Sequence, residues 1–342
     1  MSTTTRDVLR IDNLSAAFFT KEGVVRAVNG VNLALKENSI MALVGESGCG
    51  KSVSALSVMR LIPDPPGKIV SGEIFLDGED ILKIGMEDMR EVRGAKIAMV
   101  FQEPMTSLNP VLTVERQLTE TLQLHMGMSK VESQRESVNL LTRVGIPDPE
   151  SRIKQYPHQF SGGMRQRVMI AMALSCNPRL IIADEPTTAL DVTIQAQILD
   201  LMKSLTSEFG VALIVITHNL GVVARYADRV NIMYAGKVIE RGEAKEIYAN
   251  PRHPYTVGLL RSVPRLDLPR RAKLDPIEGQ PPDLINLPPG CAFRERCRWA
   301  IDKCATDMPE LVELADGHLS ACFRAEELGP TAIDFLNASA AE

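Results

Sequence analysis

The run GESGCGKS, Gly45–Ser52, has the spacing G-x-x-x-x-G-K-[ST] that phosphate chemistry uses. Gly48 and Gly50 let successive backbone N–H groups approach phosphate oxygens closely, and a helix opening at Lys51 would add its positive end. Gly45, Ser47, Gly48, Cys49, Gly50, Lys51 and Ser52 are therefore candidate nucleotide contacts. Lys51 is expected to reach the β and γ phosphates and Ser52 to ligate Mg²⁺. A Gly-rich turn capped by Ser52 is the plain alternative. A second constellation is RLIIADEP, residues 179–186, an apolar run that ends in two carboxylates. Asp184 could hold Mg²⁺ through water and Glu185 could orient or deprotonate an attacking water, although the pair would also serve as an acidic helix cap. The third is the set Cys291, Cys297, Cys304 and Cys322, with five, six and seventeen residues between successive members. In a reducing compartment, such a cluster points to metal more than to disulfides.

These groups need elements to hold them. VLRID, AAFF, VNLAL and IMALVG alternate or run apolar at strand length, the last ending at Gly45, and SVSALSVMRLI after Lys51 has helical spacing before Pro63-Asp64-Pro65-Pro66-Gly67. The phosphate motif thus sits between strand and helix, the context it requires. KIAMVF at 96–101 reads as a buried strand, residues 111–145 as mostly helical, and Leu180–Ala183 and Ala212–Thr217 as further buried strands beside helical stretches. This alternation implies an α/β fold with a largely parallel sheet, and RVNIMYAGKVIERG resembles a hairpin turning at Ala235-Gly236. After Asn250 the composition shifts to Pro, Arg and Cys, so a domain boundary is expected there, with one domain over 1–250 and an extension over 251–342.

Composition narrows the classes. Hydrophobic residues make up 45% and charged residues 24% of the chain, the proportions of a globular protein. A net charge of −5 offers no electrostatic footprint for nucleic acid, so none is expected as a partner. The start MSTTTRDVLR lacks a signal-peptide core, and the longest run without Asp, Glu, Lys or Arg, Phe209 to Ala224, is interrupted by Thr217, His218 and Asn219. Membrane association is expected only through a partner.

FSGGMRQR at 160–167, just ahead of the acidic strand, separates the chain from kinases, GTPases and helicases: it resembles the signature sequence of the ABC ATPases. That family orders its motifs as phosphate loop, glutamine loop, signature, acidic strand, D-loop and histidine loop. Here Gly45–Ser52, Gln102, Ser161-Gly162-Gly163, Asp184-Glu185, Ala189-Leu190-Asp191 and His218 follow that order, with Met164 where the family commonly has Gln. The resemblance implies an ABC-type P-loop domain with a β-rich N-terminal part and a helical subdomain over about 103–170. It implies that Glu185 is the catalytic base, that Gln102 meets Mg²⁺ and water, and that His218 senses the γ phosphate. It assigns adenine stacking to Phe18, with Phe19 as a rival, and a link between sites to Asp191. A strand-end amide, a helix cap and a core Phe are the duller readings of these positions. The family works as head-to-tail pairs in which the signature of one subunit, here Ser161, Gly162 and Gly163, covers the ATP of the other.

RHPYTVGLL at 252–260 and EGQPPDLINLPPGCAFRERC, with FQEPMTSLNP and YPHQFSGG, resemble ATPase subunits of the dipeptide/oligopeptide (peptide/nickel) importer family, closest to the first ATPase subunit of dipeptide importers. The resemblance runs from about Val8 to Phe323. It implies a second, related ATPase as heterodimer partner, two transmembrane permease subunits, a solute-binding protein acting through them, and a peripheral place on the cytoplasmic face of the inner membrane. It also favours a [4Fe–4S] cluster on the four cysteines, with Zn²⁺ as the rival; four thiolates satisfy a cubane. The spacing is wider than that of paired C-x-x-C zinc ribbons. Arg294, Arg296, Arg298 and Lys303 outnumber Glu295 and Asp302 nearby, which suits an anionic cluster. Importers of nickel or sugars, and ABC ATPases outside transport, are the other readings.

Overall fold

The run IMALV is buried at every position and forms the strand Ile40–Val44, as expected of a parallel strand covered on both faces. The computed structural model of the chain describes residues 6–188, 190–263, 276–315 and 317–329. Their contacts divide into two compact units that do not follow chain order: residues 1–10, 34–40 and 75–216, and residues 11–33, 41–74 and 217–342.

In the first unit, three apolar strands, Ile97–Val100, Leu180–Asp184 and Ala212–Thr217, lie parallel, with Ile97 opposite Leu180 and Asp184 opposite Ile216. Helices follow at Val114–Met126, Lys130–Arg143, Gly162–Leu174 and Val192–Phe209. Each begins at a residue whose side-chain oxygen accepts an N–H of the first turn: Thr113 from Arg116, Ser129 from Glu132, Ser161 from Met164 and Asp191 from Ile194. Leu118, Leu122, Leu140 and Leu141 on the first two of these helices are buried, as their helical spacing requires.

In the second unit, Ile40–Val44 pairs in parallel with Arg229–Tyr234, Val44 opposite Ile232. Arg229–Tyr234 turns back at Ala235 and Gly236, both at positive φ, into Lys237–Glu243, the hairpin expected from that sequence. The C-terminal segment continues this sheet. His318–Ser320 pairs antiparallel with Lys237–Glu243, and Val312–Ala315 with His318–Ser320. The chain therefore has the mixed, largely parallel sheet with flanking helices of an α/β protein, and the two added strands come from the region expected to be a separate extension. Buried Glu240 fastens that junction: its Oε1 accepts the Arg252 N–H at 2.6 Å and lies 2.8 Å from His318 Nε2. No helix among the described residues is long and apolar enough to cross a membrane.

Candidate functional site

Strand Ile40–Val44 delivers the chain into the loop Gly45–Gly50, from which helix Lys51–Val58 departs. Gly50 has φ 106°, and a Cβ there would lie 2.2 Å from the Ala27 carbonyl oxygen, so only glycine turns the chain into the helix at this point. Gly48, at φ 81°, would project a Cβ into open space. The helix carries no side-chain cap and no acidic residue in its first turn, so its positive end suits an anion. Lys51 is buried, and its ammonium donates to the carbonyls of Gly45 at 2.7 Å and Glu46 at 2.9 Å. The cation is thus folded onto the loop it is expected to serve, while the Ser52 side chain is exposed. Cys49 faces inward, burial pushes its thiol up from the ordinary value, and its backbone N–H donates to the Glu46 carbonyl at 3.4 Å.

Phe18 is half-buried, its ring so close to Gly67 that a Cβ on Gly67 would lie 2.8 Å from Phe18 Cε1; Phe19 is 53% exposed. His218 follows strand Ala212–Thr217 and is exposed.

In the first unit, Leu180–Asp184 carries buried Asp184 at its end and passes to Glu185, which holds the left-handed conformation at φ 44°. A non-glycine residue is seldom found there, and such positions persist where surrounding structure enforces them. The Glu185 N–H donates to the Ile216 carbonyl at 2.9 Å, which anchors the turn on the neighbouring strand. Its carboxylate Oε2 accepts from Gln102 Nε2 at 3.1 Å and from Thr188 Oγ1 at 2.8 Å. The structure therefore brings Gln102 and Glu185 together. It also adds Thr188, which sequence reasoning missed; the available signal was a hydroxyl three residues beyond an expected base on a tight turn. Gln195 was missed too: its Nε2 donates to the carbonyls of Thr187 and Leu190, at 3.0 Å each, and pins the segment before Asp191. Ala189 of the expected D-loop lies outside the described residues.

Ser161 and Gly162, both exposed, open helix Gly162–Leu174, another first turn without acidic residues. A Cβ on Gly163 would meet Ile194 Cγ2 at 3.0 Å, so its glycine serves close packing within the unit as well as any ligand.

The four C-terminal cysteines are free and half-buried. The Cys291 N–H donates to the Cys304 carbonyl at 2.9 Å. Burial first, and then charge on the other three cysteines, raises the Cys322 thiol to about 12; burial likewise raises Cys297 to about 11, with Cys291 and Cys304 adding to it. The thiols thus share one neighbourhood, a soft donor set that fits a thiolate-binding metal. Among the described residues, however, no three His, Cys, Asp or Glu side chains stand as a ready ligand set. The expected cluster is not carried by this geometry alone.

The chain was compared with known proteins. Residues 28–188 match the family model described as ABC transporter, and residues 239–304 the one described as oligopeptide/dipeptide transporter, C-terminal region. A putative peptide import ATP-binding protein of Brucella abortus is 53% identical over 331 residues, covering 94% of this chain and 98% of that protein. The dipeptide transport ATP-binding protein DppD of Bacillus subtilis is 52% identical, covering 95% and 97%. The oligopeptide transport ATP-binding protein OppD of the same organism is 51% identical, covering 91% and 87%. Among solved structures, the ATP-binding cassette MJ0796, in a dimeric post-hydrolysis state bound to ADP and Pi, matches with a TM-score of 0.62 at 29% identity, covering 69% of this chain and 98% of that one.

Proposed function

The chain belongs to the ABC transporter family, in the branch with an oligopeptide/dipeptide transporter C-terminal region, and we propose that it is the ATP-hydrolysing subunit of an importer of di- and oligopeptides. The observation that carries the enzymatic half is the phosphate loop: a buried lysine folded onto its carbonyls, before a helix with no side-chain cap and no acidic residue in its first turn. Gly45–Ser52 then binds the phosphates of ATP. Ser52, Gln102 and Asp184 hold Mg²⁺, which offsets charge on the phosphate oxygens when bound. Glu185 takes the proton from the attacking water; Gln102 and Thr188, both bonded to its carboxylate, keep it oriented. His218 meets the γ phosphate, Phe18 the adenine, and Asp191 communicates between paired sites.

Ser161, Gly162 and Gly163 face the ATP of a second ATPase subunit, related but different, in a head-to-tail heterodimer. ATP closes that dimer and hydrolysis releases it, a population shift set by differential binding. Two permease subunits receive the motion and a solute-binding protein delivers the peptide to them, with this chain peripheral on the cytoplasmic face of the inner membrane. Division into an ATPase domain over 1–250 and an extension over 251–342 belongs to the same proposal. Cys291, Cys297, Cys304 and Cys322 bind a [4Fe–4S] cluster, with Zn²⁺ as the alternative; either would tie together cysteines that are far apart in the sequence.

The test is MgATP binding and turnover in the complex assembled with its partner ATPase and permeases. Lys51→Ala should weaken MgATP binding by about tenfold or more, because the phosphates lose their nearest cation. The chain alone should hydrolyse ATP poorly. Full, concentration-independent turnover by a monomer, or wild-type affinity in Lys51→Ala, would reject the assignment.

A further inference from the structure

The geometry points to Arg296 as a positioning residue for the phosphate loop: through Glu46 it ties the C-terminal segment to the nucleotide site and sets the affinity for MgATP. The inference rests on the phosphate-loop assignment above.

Glu46 is the first residue of the loop after Gly45, and it is held at three points. Its N–H donates to the Tyr255 hydroxyl at 2.8 Å. Its carbonyl accepts from Lys51 Nζ at 2.9 Å. Its carboxylate takes both arms of the Arg296 guanidinium, Nη1 to Oε2 at 2.6 Å and Nη2 to Oε1 at 2.9 Å, the paired geometry that only arginine offers. The Arg296 side chain is 4% exposed and the Glu46 side chain 29%.

Arg296 is itself fixed before it meets the loop. Its Nε donates to the Glu278 carbonyl at 3.0 Å, Nη1 also reaches the Tyr234 hydroxyl at 3.3 Å, and Nη2 reaches the Ile277 carbonyl at 3.4 Å. Tyr255 is fixed as well: its N–H donates to His253 Nδ1 at 3.0 Å, and burial holds His253 neutral by pushing it down to about 3. Pro281, Pro282 and Leu284 line a cleft together with Ser47 and Gly48, so the C-terminal segment reaches the loop at further points.

Two physical consequences follow. An unpaired carboxylate on the loop would repel the polyphosphate that the loop must accept, and Arg296 cancels that charge at contact distance. The same clamp restrains the loop backbone, whose N–H groups bind well only when they already converge. Lys51 bonds the carbonyl of the very residue that Arg296 holds, so the position of the essential cation depends on the clamp. Arg296 lies between Cys291 and Cys297, and the short helix Arg294–Arg296 places it, so whatever orders those cysteines orders the clamp.

The experiment is calorimetric titration of MgATP into the full-length chain, with thermal melting as the check on folding. Arg296→Met should raise the dissociation constant about tenfold, because it leaves a carboxylate uncompensated beside the phosphates. Arg296→Lys, which keeps the charge and loses the paired contact, should raise it about threefold. Glu46→Gln, which loses the paired contact together with the charge it offset, should bind about threefold weaker than wild type, and Arg296→Met combined with Glu46→Gln should stay within about twofold of Glu46→Gln, since the repelling charge is gone. That rescue is what a merely structural role for Arg296 would not produce. Wild-type affinity in Arg296→Met, or a double variant no tighter than Arg296→Met alone, overturns the clamp. If Arg296→Met does not fold, Arg296→Lys decides: affinity equal to that of wild type overturns it. Where Lys51→Ala loses affinity and Arg296→Met keeps it, the clamp alone fails; where Lys51→Ala binds like wild type, the phosphate-loop reading fails and takes the clamp with it.

Discussion

The phosphate loop and the cysteine-bearing segment lie in the same compact unit and are both built of turns, yet they keep their functional groups in opposite ways. In the loop, Lys51 is buried and bonded to two carbonyls, Glu46 is held at backbone and side chain, and a helix begins at once. Its groups are in place before any ligand arrives. Around Cys291, Cys297, Cys304 and Cys322 the elements are short, Arg294–Arg296 and Lys303–Thr306, and burial, with charge on neighbouring cysteines, raises the Cys297 and Cys322 thiols without any three of the four standing as a ligand set among the described residues. The acidic turn of the other unit behaves like the loop, since Glu185 is received by Gln102 and Thr188. Such preorganisation suits groups proposed to act in every turnover, because ordering them at each cycle would raise the barrier, whereas ligands of a proposed structural metal can be ordered by what they bind.

The largest effect should come from Glu185→Gln, which keeps the shape of a preorganised side chain and removes its basicity. Steady-state hydrolysis in the assembled complex should fall about 10³-fold while MgATP affinity stays within about threefold. Unchanged hydrolysis would remove Glu185 as the base. Next is removal of metal from protein isolated anaerobically. Chelation should lower the melting temperature by on the order of 10 °C, and the first loss of hydrogen-exchange protection should fall within residues 291–322, leaving helix Lys51–Val58 protected. Iron at about four per chain with a broad visible absorbance identifies the cubane, stoichiometric zinc in colourless protein the alternative, and metal-free anaerobic protein rejects both.

Thr188→Val removes the Thr188 hydroxyl donor to Glu185 and should reduce turnover about fivefold with affinity unchanged, the scale of one neutral hydrogen bond. An equal loss in affinity would show that Thr188 supports binding instead. The smallest effect is a pH dependence of the metal-free chain. Cys297 and Cys322 titrate higher when folded, at about 11 and about 12, than an unburied thiol at 9.0. Their contribution to stability is therefore complete below about pH 9 and declines as pH rises through the folded values, because the unfolded chain releases its protons first. Loaded protein should show no such decline, since its thiolates are already deprotonated on the metal; identical profiles would mean that the cysteines do not share a site.

Short-range patterns in the chain determined a good deal. The five apolar residues before Gly45, the glycines and lysine after it, the hairpin at Ala235-Gly236 and the helices within 111–145 are all set by turn chemistry and periodicity over a few residues, and each took the form those patterns demand. What the patterns could not contain is any relation between distant positions. Glu46 and Arg296 are 250 residues apart, and neither type at either position announces a pair. The strands Val312–Ala315 and His318–Ser320 are short and only partly buried, too weak to read alone, and exist because Lys237–Glu243 offers an edge to pair with. Glu185 reads as a carboxylate at a strand end, but its left-handed backbone is imposed by the bond to Ile216 on the neighbouring strand. Gln102 and Thr188 acquire a common partner only when the turn after Leu180–Asp184 closes against the strand that ends at Val100. Local free energies are summed along a few residues and can be read there; the orientation of a functional group depends on contacts that the chain makes only once it has folded.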